Sequence, residues 1–367
     1  MCYNVIDTGI DTGIDNKKNM PMINQKRVTN KEVALAAGVS TQTVSRVIND
    51  RPDVAPETRK RVQEVIAELG YRPSAVARSL IQQRSFTLGV VTAGLKYIGP
   101  SMILSGITRE AEKTGYAVLL MELPKFDTED VEPIFESLMT RHVDGIIWAV
   151  PEVGDNQRWL KQQSPALSVP FIFLTAPPHS GLPSADYDNC RGGKTATEHL
   201  LEQGYRHIGH VSGPLDWLSA RQRKEGWQEA LRDARIETAE MRWTEGNWSS
   251  ASGERAFNQL LDEYSEMDAV FVANDQMAIG VLQVACKQGI KVPQDLGVVG
   301  FDGLAESAYF WPPLTTMYQD LPKLGSIAVS ELAGIIESKW EGIVSEESNC
   351  VLLEPQLIIR ESSVNLK

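Results

Sequence analysis

Short apolar runs alternate with helical patterns between residues 86 and 343. Seven runs rich in Val, Ile, Leu and Phe predict buried strands: 86–92 (FTLGVVT), 116–122 (YAVLLME), 143–150 (VDGIIWAV), 170–175 (PFIFLT), 207–213 (HIGHVSG), 268–275 (DAVFVAND) and 295–302 (DLGVVGFD). Helical periodicity occurs between them, notably over 101–114, 190–203 and 276–288, each followed by a glycine. Strands that alternate with helices predict parallel sheets covered on both faces, which is an α/β fold.

Residues 28–50, VTNKEVALAAGVSTQTVSRVIND, have a different pattern and predict two short helices around a tight turn. Thr29 and Glu32 have the spacing of a capping box at the start of the first helix. Gly38 allows the turn, and Ser40 can cap the second helix. We expect apolar side chains of both helices to pack together: Val33, Ala37, Val44, Val47 and Ile48.

A third helix is predicted to begin near Pro56 and to end at Gly70. Its expected buried face consists of Val62, Val65, Ile66 and Leu69, which follow the i, i+3, i+4, i+7 spacing. The polar face of the second helix carries side chains suited to base edges and phosphates, namely Thr41, Gln42, Ser45 and Arg46. From this pattern alone, a DNA-binding helix-turn-helix and an ordinary three-helix bundle both remain open.

The charge distribution favours the DNA-binding alternative. The 367-residue chain has a formal net charge of -12. Residues 26–86 nevertheless contain 11 Lys and Arg against 6 Asp and Glu, a local charge of +5, so the remainder carries -17. Because screening limits electrostatic attraction to about 10 Å, a basic head on an acidic body can still bind a polyanion.

Other global features predict a cytoplasmic protein that does not contact a membrane. The sequence has no apolar run of 18 residues and no N-terminal signal pattern. Its four cysteines are scattered and form no C-x-x-C pair, so neither a disulfide framework nor a zinc site is expected. We expect residues 1–25, with the tandem DTGIDTGID, to be disordered or a spurious extension, with Met20 or Met22 as the true initiator.

Planar hydrogen-bonding groups follow several predicted strands, where ligands bind in parallel sheets. They are Asn274 and Asp275 after VFVA, Asp302 after VVGF, and Ser219, Arg221 and Arg223 after SGPLDWL, with Trp248 in EGNWSS. Such groups can bind adjacent hydroxyls, and an aromatic ring can cover the C–H face of a pyranose, so the set suits a neutral sugar. Taken alone, Asp275 is better interpreted as a helix N-cap and a lone Trp as a core residue.

Residues 28–50, followed by VAPETRKRVQEVIAELGYRPSAVARSL (54–80), resemble the DNA-binding head of the lac repressor family. The resemblance implies that Thr41, Gln42 and Arg46 read the major groove. It also implies that 73–80 is a hinge helix, ordered only when two copies pair on DNA, whose Leu80 is wedged between base pairs in the minor groove; the alternative is a plain linker leucine. The full set of implied DNA contacts is Thr29, Ser40, Thr41, Gln42, Thr43, Ser45, Arg46, Asn49, Tyr71, Ala77 and Leu80.

The body also resembles this family, through SGPLDWLSARQRKEGW, EGNWSSASG, VANDQMAIG, VVGFDG and PPLTTMYQDLPKLG. The resemblance covers about residues 27–362 and implies a two-lobed periplasmic-binding-protein-like core whose lobes the chain crosses three times. Arg223, Asn274, Asp302 and Gln319 would then hold sugar hydroxyls, with Ser219 facing the pocket. The implied apolar wall is Trp248, Phe173 and Ile103.

The resemblance implies the following domains: an extension (1–25), a helix-turn-helix head (26–72), a hinge and linker (73–85), an N-terminal lobe (86–174 and 317–343), a C-terminal lobe (175–316), and a final strand and tail (344–367). The family's leucine-rich tetramerisation helix has no counterpart, so we expect a homodimer on a two-fold symmetric DNA operator.

The family resemblance predicts a transcriptional repressor released from its operator by a galactoside or related sugar, with no cofactor. The chain departs from the family pattern at Ala93, at Leu321 and in the loop PEVGD. In that loop, Glu152 or Asp155 could supply a carboxylate. These departures leave the identity of the sugar undecided. Thr41 is another departure and leaves the operator sequence open.

Two other functions were considered. A sugar-binding transport receptor with the same core is the alternative; the basic head and the missing signal pattern argue against it. An enzyme is not expected, because no G-x-x-x-x-G-K-[ST] loop is present and the histidines of HIGH fall on opposite faces of a strand. CRGGK (190–194) is glycine-rich, but its Lys194 opens an ordinary helix pattern after a turn.

Overall fold

The computed structural model describes residues 28–71, 84–126, 131–157, 159, 168–175, 182–236, 242–343 and 350–365. The chain divides into two compact units, the head (Met1–Gln82) and the body (Gln83–Lys367). The predictions for 1–25 and for most of the hinge, including Ala77 and Leu80, lie outside the described residues. Within the described ranges, no helix combines the length and apolarity needed to cross a membrane.

Within residues 28–71, the head contains three helices, α1 (Asn30–Ala37), α2 (Thr41–Ile48) and α3 (Pro56–Leu69). The predicted capping box is confirmed, because Thr29 Oγ1 accepts from the Glu32 amide and Glu32 Oε2 accepts from the Thr29 amide at 2.7 Å. Gly38 has φ 64°, which permits the tight turn, and Ser40 Oγ accepts from the Thr43 amide at 3.1 Å. The two caps and the turn at Gly38 fix the orientation of α2 relative to α1.

The head core confirms most of the predicted apolar faces. Its fully buried members come from all three helices and the loop before α3: Val33, Ala34, Ala37, Val44, Val47, Val54 and Val62. Ile48, Val65 and Ile66 pack against them while half-buried. The prediction for Leu69 is wrong, since this side chain is 39% exposed and the buried face of α3 ends one turn earlier.

The described residues of the body form two six-stranded sheets. Its strands are β1 (Thr87–Ala93), β2 (Ala117–Leu123), β3 (Gly145–Ala149), β4 (Phe171–Leu174), β5 (Ser184–Tyr187), β6 (Ile208–Ser212), β7 (Trp243–Glu245), β8 (Ala269–Val272), β9 (Gly297–Asp302), β10 (Thr315–Tyr318), β11 (Cys350–Leu353) and β12 (Gln356–Ile358). The orders are β11-β5-β4-β3-β1-β2 and β12-β10-β9-β8-β6-β7. All paired strands are parallel except β12 with β10, and all seven predicted strands are present.

Strand membership corrects the predicted lobe boundaries. β5 belongs to the first sheet, although 175–316 had been assigned to the second lobe. β10 belongs to the second sheet, although the return to the first lobe had been placed at 317. The expected single final strand is two strands, β11 in the first sheet and β12 in the second. These four-residue or shorter strands lack the long apolar run that made the other strands recognisable.

Seven helices in the described body cover the two sheets: α4 (Ile98–Lys113), α5 (Glu132–Thr140), α6 (Asn189–Glu202), α7 (Leu218–Asp233), α8 (Ser250–Glu263), α9 (Asp275–Gln288) and α10 (Leu321–Trp340). Strand side chains alternate between the two layers. In β1, Leu88 and Val90 join the core beneath α4 and α10, whereas Val91 and Ala93 join the core on the α5 side.

Helices α6 and α7 approach each other closely at paired glycines. A Cβ on Gly193 would lie 2.2 Å from the Arg223 carbonyl oxygen, and one on Gly226 would lie 2.0 Å from the Cys190 carbonyl oxygen. Only glycine therefore permits this crossing. This close packing fixes the start of α6 against α7. Asn189 lies at the start of α6, and Arg223 lies in α7.

The chain passes between the lobes three times, as predicted. The passages follow β5, β10 and β11, because each is followed by an element that belongs to the other lobe. The carboxyl ends of β3, β4 and β5 consequently face those of β8, β9 and β10 across a cleft.

Candidate functional site

A cavity lies between the two lobes at the carboxyl ends of their strands. It encloses about 980 Å³, including its open mouth. Seven of the eight residues predicted to contact a sugar line it: Ile103, Ser219, Arg223, Trp248, Asn274, Asp302 and Gln319. The parallel topology thus brings together residues that are up to 216 positions apart in the sequence.

Phe173 is the exception, and its predicted role in the apolar wall is wrong. Its side chain is 1% exposed and packs in the core on the α5 side, with its ring centroid 4.5 Å from that of Phe171. Successive side chains of a strand point to opposite faces, so its neighbour Leu174 faces the cavity instead. Leu321, which was noted as a departure from the family pattern, also lines the cavity.

Arg223 is the centre of the polar wall. Its Nε donates to Asn189 Oδ1 at 2.9 Å, and Nη1 donates to Asp302 Oδ1 at 3.1 Å and to the Ala273 carbonyl oxygen at 2.5 Å. Its Nη2 donates to Gln319 Oε1 at 3.1 Å, and its guanidinium lies 3.7 Å from the centroid of the Phe301 ring. The guanidinium is therefore held rigidly, which presents it and its partners to a ligand in one geometry.

Burial of the Arg223–Asp302 ion pair costs free energy, because both charges are removed from water. Burial raises the pKa of Asp302, against the opposing effect of Arg223, and burial lowers the pKa of Arg223. Removal from water thus outweighs mutual attraction, as expected for buried pairs, which contribute little to stability on their own. Such a pair at a cavity wall indicates a binding site.

Asn274, rather than Asp275, caps helix α9. Asn274 Oδ1 accepts from the Met277 amide at 2.8 Å, and its Nδ2 donates to the Trp248 carbonyl oxygen at 3.1 Å. Asp275, predicted as the cap, accepts from Leu304 N and the hydroxyls of Ser307 and Thr316 at 2.6–2.8 Å. It therefore fixes the loop that follows Asp302.

Aromatic rings form another part of the cavity wall. The centroid of Trp248 lies 5.7 Å from that of Trp217, and Trp217 lies 5.4 Å from Tyr97 of the first lobe, both edge to face. Trp248, Asp302 and Thr175 also have positive φ angles of 71°, 98° and 64°. They are three of the seven described non-glycine residues with positive φ, and all three line the cavity. Strained backbone of this kind is common at functional sites.

Sequence reasoning missed several polar residues of the cavity, among them Asp186, Gln222 and Thr175, and left Glu152 undecided. Glu152 does line the cavity and Asp155 does not. Glu152 Oε2, Gln222 Oε1, Thr175 Oγ1 and Trp248 Nε1 are buried without a hydrogen-bond partner in the described part of the chain. Buried polar atoms are nearly always bonded, so either water or a polar ligand is needed to satisfy these atoms.

Burial controls the charge of the other carboxyl groups here. It raises the pKa of Asp186 to about 7, although the Tyr187 amide and Arg223 act in the opposite direction. It also raises the pKa of Glu152, again against a nearby guanidinium, that of Arg221. The cavity therefore contains a carboxyl group, Asp186, that changes protonation near neutral pH.

We expect Asp186→Asn to remove a pH-dependent destabilisation. The unfolded chain ionises this group near pH 4 and the folded chain near pH 7, so folding is weakened as the pH rises between these values, with a slope of at most about 1.4 kcal/mol per unit. The free energy of unfolding of the variant relative to the wild type should rise over that range and level off above it. Urea titrations at pH 5, 6, 7 and 8 measure this; a constant difference would contradict the assignment.

The head presents a second candidate surface on α2. Thr41, Gln42 and Arg46 are exposed on this helix, as predicted. Arg46 Nη1 lies 3.3 Å from Asp53 Oδ2, and both side chains are about half exposed. Such surface pairs contribute about 0–1 kcal/mol, so Arg46 can turn to a phosphate or a base.

The remaining predicted DNA contacts have structural partners within the head. Thr29 and Ser40 cap α1 and α2, and the Thr43 hydroxyl lies 2.9 Å from that of Ser40. Asn49 Nδ2 donates to the Ser45 carbonyl oxygen at 2.8 Å. Tyr71 is half-buried against the head core. Their orientation toward the face that carries Gln42 stays a prediction.

Two family models match this sequence. "Bacterial regulatory proteins, lacI family" matches residues 29–74, and "Periplasmic binding protein-like domain" matches residues 197–363. The lactose operon repressor of Escherichia coli K12 is 35% identical over 307 residues, which are 84% of each chain.

Solved structures are similar over most of the chain. A crystal structure of the Lac repressor dimer bound to operator and the anti-inducer ONPF has a TM-score of 0.81 and 32% identity, covering 92% of this chain and all of that one. A complex of the transcriptional regulator CelR with cellobiose has a TM-score of 0.66 and 31% identity, with the same coverage.

Proposed function

Because this chain belongs to the lacI family of bacterial regulatory proteins, we propose that it is a sugar-responsive repressor that binds operator DNA as a homodimer. The observation that carries the proposal is the cavity, in which a buried arginine, carboxyl groups and amides converge beside a tryptophan ring. These groups suit adjacent hydroxyls and the apolar face of a pyranose. We place its action in the cytoplasm, where operator DNA is found, and no enzymatic activity is proposed.

The mechanism follows from the position of the cavity. A sugar between the lobes would contact groups of both, so it would favour one relative orientation of the lobes over another. A ligand shifts such an equilibrium only by its difference in affinity for the two states, and about 5.5 kcal/mol moves it from 1:99 to 99:1. We infer that the sugar favours the orientation in which the paired heads no longer fit a two-fold operator.

We infer further that the effector is a galactoside or a related glycoside. Similarity to the lactose operon repressor and to a cellobiose-bound regulator supports this class. The groups around Arg223 are compatible with this class, since they include both hydrogen-bond donors and acceptors that suit hydroxyls.

Selection of DNA from a random duplex library by the purified protein tests the function. We expect a two-fold symmetric sequence to be enriched, and a gel shift with that sequence should show release on addition of galactosides but not of galactitol. Failure to retain any DNA at low salt would contradict the repressor proposal. Sugar binding without DNA binding would favour the transport-receptor alternative.

A further inference from the structure

Polar atoms on one wall of the cavity are not used by the Arg223 network. Glu152 Oε1 lies 3.6 Å from Arg221 Nη2 of the second lobe, while its Oε2 is buried and has no hydrogen-bond partner among the described residues. Gln222 Oε1 and Thr175 Oγ1 are likewise buried and unbonded within the described ranges. All three side chains line the same cavity.

The chemistry of these atoms restricts what they can bind. The free atoms of Glu152 and Gln222 are oxygens that only accept hydrogen bonds while the carboxylate is ionised, and Thr175 can accept or donate. A molecule beside them must therefore present several donors. Hydroxyl groups meet this requirement, whereas an apolar substituent would leave all three oxygens unsatisfied.

The main chain around Glu152 fixes its position at the contact between the lobes. Its carbonyl oxygen accepts from the Leu218 amide at 3.0 Å, and the Gly154 amide donates to the Asp216 carbonyl oxygen at 2.7 Å. Between these bonds, Val153 and Trp217 form an antiparallel bridge. Glu152 thus lies on a backbone segment that is hydrogen-bonded to the second lobe, and its Oε1 lies near Arg221.

We propose that Glu152, Gln222 and Thr175 form a second subsite that accepts hydrogen bonds from a hydroxyl-bearing group attached to the sugar, such as a second ring. The inference rests on the proposed function, in which the first ring contacts Arg223 and Asp302. Glu152 and Thr175 belong to the first lobe and Gln222 to α7 of the second, and none of the three belongs to the Arg223 network, so their free atoms remain for a group other than the first ring. Glu152 therefore determines specificity and contacts the effector.

Calorimetry with three galactosides tests the subsite on the full-length protein. Lactose has a hydroxylated second ring, methyl β-galactoside has none, and phenyl β-galactoside has an apolar one. We expect Glu152→Ala to weaken lactose binding about tenfold or more, which is typical of a lost hydrogen bond to a charged group, and to change the other two affinities less than about threefold. Gln222→Ala should show the same selectivity with a smaller loss.

Asp155→Ala is the matched control, because Asp155 is an acidic residue of the same loop that does not line the cavity. It should leave all three affinities within about twofold. Two outcomes for Glu152→Ala would overturn the subsite: an unchanged affinity for lactose, which would assign the free oxygens to water, or equal losses for all three sugars, which would assign Glu152 to lobe contact alone.

The glucose series separates this inference from the galactoside proposal. If the wild type binds none of the galactosides, cellobiose, methyl β-glucoside and phenyl β-glucoside replace them in the same comparison. Binding of the glucosides would contradict the galactoside assignment. The effect of Glu152→Ala on cellobiose binding would still test the subsite. If neither series binds, the proposed function and the subsite are both wrong.

Discussion

Arg223→Met is expected to abolish sugar binding and to lower the free energy of unfolding by about 3–5 kcal/mol. Methionine fills most of the volume but donates no hydrogen bond. The acceptors that would lose their donor are buried or nearly so: Asn189 Oδ1, the Ala273 carbonyl oxygen, Asp302 Oδ1 and Gln319 Oε1. Urea denaturation measures the stability, and calorimetry with lactose measures the binding.

The same helix offers a matched control in Arg232→Met. Arg232 lies in the last turn of α7 and is exposed, so the stability should change by less than about 0.5 kcal/mol. The double variant R223M/D302N should recover part of the lost stability, because it removes the unpaired buried carboxylate, without recovering lactose binding. A loss below about 1 kcal/mol in R223M would show that the network is not needed to hold the lobe together.

Much of the fold was predictable because its central strands are long, apolar and flanked by helices. Runs such as 295–302 specify a strand by burial on both faces, and the confirmed capping residues of the head act within one helical turn. The candidate site was predictable for a related reason. Asp302 and Asn274 directly follow such strands, and a parallel topology places those ends together.

The remaining errors concern residues whose secondary structure or burial is decided by contacts with distant parts of the chain. β5, with the sequence SADY, has no apolar run and becomes a strand because its neighbours β4 and β11 pair with it. Phe173 and Leu174 face opposite sides of β4. The predicted cavity residue, Phe173, was one position too early, so its side chain lies in the core and that of Leu174 lines the cavity. The packing role of Gly193 in CRGGK was not recognised, since its partner, the Arg223 backbone of α7, is 30 residues away.

Polar residues whose pKa depends on burial were the hardest to recognise from the sequence. Asp186 and Glu152 are unremarkable in sequence, and burial is the largest cause of their raised pKa values. A useful signal was present in the loop PEVGD, where an acidic residue follows a predicted strand, as at Asp302. The family resemblance left Glu152 and Asp155 as alternatives for this carboxylate, and of the two only Glu152 lines the cavity.

Gln42→Ala is expected to reduce the affinity for the selected operator by about 1–3 kcal/mol, roughly 5- to 150-fold. Gln42 is exposed in the first turn of α2, and no hydrogen bond engages its amide within the described head. A free glutamine amide can bond both polar atoms of an adenine edge, so its loss removes sequence discrimination. Alanine is a good helix former, and α2 should remain folded. Fluorescence anisotropy at a fixed 150 mM salt measures the affinity.

The test depends on comparing two DNA sequences and two glutamines. Gln42→Ala should leave binding to a scrambled duplex within about twofold, because phosphate contacts dominate non-specific affinity. Gln63→Ala removes an equally exposed amide from α3 and should change neither affinity. If Gln42→Ala weakened both duplexes equally, the residue would contribute to general attraction and not to sequence recognition. Unchanged binding to both would instead assign operator recognition to other residues of α2, with Thr41 and Arg46 as the next positions to substitute.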